Sequence, residues 1–187
     1  MRLIISSTLA LALLVISMHA RSEEALSTTV CKIIADPPAF NHKLVKLSGT
    51  VYQAMEKFSL SVESCGAVKA GNWTGIWVEY GGRVRTGAKY CCGIPMDRDR
   101  PTDLEIEGVQ TSLVEDDQFR TFDSRVKAKG HANATLIGRY FSGQKNWSHR
   151  GSEYLWGGFG HMGMYSLLVV QEVACVRSAP PHRSEQC

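Results

Sequence analysis

Beyond residue 40, apolar and polar positions alternate along much of the chain, and this two-residue period predicts strands rather than helices. From Lys43 to Gln53, Val45, Leu47, Gly49 and Val51 share one parity. Phe58, Leu60 and Val62 follow in the same way, so two antiparallel strands joined near Ala54 to Lys57 are predicted. Ile76 to Tyr80 crowds aromatic and β-branched residues ahead of Gly81 and Gly82, which predicts a third strand with Trp77 and Tyr80 on opposite faces. Leu104 and Ile106 support a short further strand. Ala134, Leu136, Gly138 and Tyr140 alternate in the next, and Leu167 to Val173 reads as a mostly apolar last strand.

Two stretches carry a helical period instead. Val30, Ile33 and Ile34 follow the capping residues Ser27 and Thr28, and Pro37-Pro38 stops the segment. Phe119, Phe122 and Val126 line one face of a second helix, capped by Asp116 or Asp117 and running to Lys127. Residues 83–102 and 142–163 are two long irregular segments, and the tail from Ser178 is expected to be mobile. Three strands, a short extra strand, a helix and two strands predict a mainly β fold: an OB-fold-like β-barrel with two short α-helices, the first a lid on it. One domain over residues 27–177 is expected, with no internal repeat.

Ahead of that domain, Leu3 to Ile16 is one apolar run behind Arg2, too short for a membrane span. Ser17 to Ala20 ends it, so residues 1–20 read as a signal peptide cut after Ala20, or a few residues away because Met18 is bulky for the peptidase. A secreted or periplasmic protein follows. The net charge of +3, or +2 without Arg2, is too small to favour a polyanion, which disfavours nucleic acid as the partner. Six cysteines in an exported chain predict disulfides. Cys31 and Cys65 flank the first hairpin and are the expected pair, whereas adjacent Cys91 and Cys92 would form a strained ring and Cys187 sits on the tail.

Lys43-Leu44-Val45-Lys46-Leu47-Ser48-Gly49-Thr50-Val51, in which glycine permits sharp coiling, looks like the opening strand of OB barrels, and Ala134 to Tyr140 has the same character. With the helix carrying Cys31, the chain from Val30 to Val176 resembles small uncharacterised bacterial exported proteins with an OB-like barrel. The resemblance implies a module that binds oligonucleotide, sugar or protein, and does not choose among them.

Gly158-Phe159-Gly160-His161-Met162-Gly163 has the bare spacing of a dinucleotide loop, but it leads into the apolar strand at Leu167 rather than into a helix. A glycine-rich turn is the reading, with Trp156, Phe159 and His161 as a candidate ligand-facing rim; no nucleotide and no cofactor are expected. Arg83, Arg85, Lys89, Tyr90, Arg98 and Arg100 gather in one irregular segment and form a second candidate binding region, diluted by Asp97, Asp99 and Asp103. Cys91 and Cys92 with His131, His149 or His161 offer an alternative metal site, though in no zinc-finger spacing. Glu105, Glu107, Glu115, Asp116 and Asp117 are candidate acids or bases for an enzyme with an unrecognised site, yet no nucleophile elbow or HExxH motif is present. The sequons at Asn72, Asn133 and Asn146 read as coincidence. The expected function is a disulfide-containing binding or structural module for an unknown protein or small ligand, with ligand-binding candidates Arg83, Arg85, Tyr90, Trp156 and His161.

Overall fold

The computed structural model describes residues 23–54, 57–61, 65, 75–82, 103–147 and 154–177. The elements run β1 (Leu26–Ser27), α1 (Val30–Ala35), β2 (Leu44–Ala54), β3 (Lys57–Ser61), β4 (Gly75–Glu79), β5 (Asp103–Ile106), β6 (Val109–Ser112), α2 (Asp117–Lys129), β7 (His131–Phe141), β8 (Gln144–Trp147), β9 (Tyr154–Gly157) and β10 (Leu167–Arg177). The protein is mainly β, built on one six-stranded sheet in the order β1-β2-β3-β4-β10-β7. β2 also pairs with β7, so the ladders run from β2 through β3, β4, β10 and β7 back to β2. The pairings are antiparallel except β4 with β10 and β1 with β2.

The alternation read from β2 is the observed burial: Val45, Leu47 and Val51 are buried, while Ser48 and Tyr52 face solvent. β4 is buried on both faces, so Trp77 and Tyr80, which point opposite ways, both end in the core. α2 begins as its sequence requires, with the Asp116 carboxylate accepting from the Phe119 N–H at 2.9 Å. It runs two residues further than expected and closes on Gly130 in the left-handed conformation. Its buried Phe119 and Phe122 meet the Tyr80 ring edge-on, and the Tyr80 hydroxyl donates to Asp123 at 3.0 Å. Each such buried ring contributes about 2 to 3 kcal/mol over the exposed state.

Three expectations change. Thr29, not Ser27 or Thr28, caps α1, because Ser27 is drawn into β1 by parallel pairing with β2. The short extra strand is a hairpin, β5–β6, and the second irregular segment contains another, β8–β9. β10 extends to Arg177, absorbing register shifts near Gln171 and Ala174. The Cys31–Cys65 disulfide is present with Cα atoms 5.2 Å apart, tying α1 to the chain beyond β3. Cys175 is also disulfide-bonded, and since Cys31 and Cys65 bond each other, its partner is Cys91, Cys92 or Cys187. Val62 lies outside the described residues.

Candidate functional site

Between β9 and β10 the chain makes a tight glycine turn whose position is fixed from both sides. Phe159 and Tyr165 exchange backbone hydrogen bonds at 3.1 Å, and Gly158 N–H donates to the Gly163 carbonyl at 2.8 Å. The Tyr165 ring packs on Trp77 with centroids 5.4 Å apart, and Phe159 packs on Phe141 at 6.5 Å. Gly160 lies so close to the Trp77 ring that no side chain fits between them, and its φ of +67° is the left-handed region. The glycine spacing that mimics a dinucleotide loop is therefore a packing device, which leads into β10 rather than into a helix.

At the tip of this turn, Met164 N–H donates to the His161 carbonyl at 3.2 Å, with positive φ at both central residues, Met162 and Gly163. That is the backbone of a type I′ turn, in which glycine or asparagine suits the first central position. Methionine there, at φ +53°, costs about 1 kcal/mol or more, and its side chain is 66% exposed. His161 is half-buried beside it, while Met164 is half-buried against the core. Trp156, half-buried on β9, sits opposite Lys145 of β8. The turn thus displays Met162 at its tip and turns Met164 toward the core, and neither was among the candidate binding residues. Methionine carries no local signal for positive φ, so only the flanking glycines pointed to the turn.

Arg83, Arg85 and Tyr90, together with Cys91, Cys92 and His149, lie outside the described residues. His131 is exposed near Tyr52, their rings 6.3 Å apart. Among the described residues, no group of three or more His, Cys, Asp or Glu side chains gathers as a metal site, and no helix is long and apolar enough to cross a membrane.

The candidate carboxylates take separate duties. Asp116 caps α2 and Asp117 pairs with Arg120 at 2.7 Å. Glu107 pairs with His42 at 2.7 Å, both half-exposed and both at positive φ, and the His42 ring packs edge-on against Phe141 at 5.3 Å. His42 had no motif to mark it. Nearby, Arg139 holds the Glu23 carboxylate through two hydrogen bonds of 2.8 and 2.9 Å and also donates to the His42 carbonyl. The Arg139 guanidinium lowers the Glu23 pKa. Burial pushes the Tyr140 phenol up to about 12, the nearby Ser166 side chain acting in the opposite direction, and it raises Tyr165 as well. The sequon at Asn133 is engaged in β7, where its amide oxygen accepts from Thr50 at 2.6 Å and Thr135 bonds Ser48 at 2.7 Å.

Comparison with known protein families, with curated proteins and with solved structures gives no match.

Proposed function

We propose that the protein is an exported, disulfide-stapled module of OB-like barrel architecture, which binds its ligand at the glycine turn between β9 and β10. The ring of strand pairings, the parallel β4–β10 ladder and the position of α2 between β4 and β7 support the barrel reading. The apolar leader and the Cys31–Cys65 bond support export, since structural disulfides persist outside the reducing cytoplasm. The kinship with small bacterial exported barrels belongs to the same reading.

The observation that carries the binding assignment is Met162. His42 and Glu107 share its positive φ but are paired with each other, whereas Met162 is displayed to solvent on a turn clamped to Trp77, and strain of this kind concentrates at functional sites. The test is residue-resolved: amide shifts of the isotope-labelled mature protein are followed as a short oligothymidylate and an oligosaccharide are added in turn. Shifts centred on residues 156–165 with either of them support the reading. Shifts centred on another face, such as Tyr52 and His131, or no shifts with either, overturn it.

A further inference from the structure

We propose that Met162 is a site of selective sulfoxidation, through which hydrogen peroxide switches off the binding face at the glycine turn. This regulation rests on the assignment of that turn as the binding face.

Oxidation of a thioether follows the access of oxidant to its sulfur. The two methionines of this turn differ in that respect: Met162 is 66% exposed at the tip, whereas Met164, two residues on, is half-buried against the core. Cys31, Cys65 and Cys175, the described cysteines, are held in disulfides and offer no thiolate to compete for the oxidant. In the reaction the Met162 sulfur attacks one peroxide oxygen and the O–O bond breaks. The sulfur gives up two electrons and keeps that oxygen as a sulfoxide, while the departing hydroxide takes the proton left on the transferred oxygen and leaves as water. A dithiol reductant reverses the step and ends as a disulfide plus water.

The modification converts a flexible apolar side chain into a polar one. Met162 lies outside the buried core, so the added oxygen displaces no core packing. The frame of the turn is held independently, by Gly160 flush with Trp77 and by the paired backbone bonds of Phe159 and Tyr165. Its effect therefore falls on the ligand: an apolar contact at the tip becomes a hydrated S–O group, which a docking molecule must strip of water. A sulfoxide at Met164 would instead press a polar group against the core. The accessible sulfur is thus also the one whose oxidation leaves the fold intact.

The mature protein, its disulfides intact, is treated with dilute hydrogen peroxide and sampled over time. Peptide mapping reads oxygen uptake at each methionine, thermal melts read folding, and amide shifts at residues 156–165 read binding of the oligothymidylate and the oligosaccharide. Met162 should be oxidised about tenfold faster than Met164, or more. The sulfoxide form should bind about tenfold more weakly, or worse, while melting where the untreated protein does. In Met162→Leu, peroxide should leave the affinity at that variant's own untreated value. Equal oxidation of the two methionines, unchanged binding once Met162 is oxidised, a lower melt accompanying the loss of binding, or a loss in Met162→Leu as large as the parent's each overturns the switch while the binding face stands. Untreated protein that shifts at residues 156–165 with neither ligand overturns the binding face, and the switch with it.

Discussion

Gly160 lies flush against the indole of Trp77, at a φ that side chains rarely adopt, and this contact holds the whole β9–β10 connection to the sheet. Gly160→Ala is expected to destabilise the protein by about 2 to 4 kcal/mol, from overpacking against a buried ring together with left-handed strain. Urea unfolding followed by tryptophan fluorescence measures it. A loss within 0.5 kcal/mol or so, the range of ordinary surface substitutions, would show that the turn is not clamped as described.

The buried phenol of Tyr140 makes stability fall in alkali. Its pKa is raised by burial from an ordinary value of 10 to about 12, so the proton is held in the folded state where the unfolded chain has released it. The contribution is fully present below pH 10 and is lost as pH rises from there through about 12, at up to about 1.4 kcal/mol per pH unit. Tyr140→Phe should flatten that slope in denaturant titrations at pH 9 to 11, leaving the part due to Tyr165.

At the acid end, the Glu23–Arg139 pair acts in the opposite sense. Arg139 holds the carboxyl below its ordinary 4.5, so the stabilisation is present above that pH and is lost as pH falls through the lowered value. Because Glu23 is more than half exposed, solvent screening limits the effect to about 0.5 to 1 kcal/mol. Glu23→Gln should remove this acid dependence and increase amide exchange in residues 23–27.

Reduction should affect one staple above all. The Cys31–Cys65 bond closes a separation of 34 residues, which the chain-entropy view values at about 3 to 4 kcal/mol. Peptide mapping without reduction is expected to recover this pair, and Cys175 linked to Cys91, Cys92 or Cys187. Recovery of Cys31 joined to any other cysteine would contradict the fold.

What was legible in the sequence follows the strength of local signals. α2 could be read because an acidic cap, a buried stripe of Phe119, Phe122 and Val126, and Gly130 agree on one helix. β2 and β7 could be read from alternation, and the Cys31–Cys65 pairing from the hairpin between its ends. The polar Gln144–Trp147 strand had no apolar period to show and forms by pairing with β9. The cap of α1 was misplaced because Ser27, Thr28 and Thr29 are chemically equivalent, and only tertiary pairing with β2 decides among them. The site was half legible: glycines and His161 marked the turn, but the role of Met162 depends on a dihedral angle that its side chain does not announce.

Met162 gives up stability for ligand binding, and this is tested most directly by thermal melts of the parent and Met162→Gly beside the amide shifts of each with the oligothymidylate and the oligosaccharide. Met162→Gly should melt at or above the parent, gaining up to about 1 kcal/mol of relieved strain, and should lose the ligand shifts at residues 156–165. A glycine variant that melts lower than the parent, or that keeps those shifts at full size, would contradict the claim.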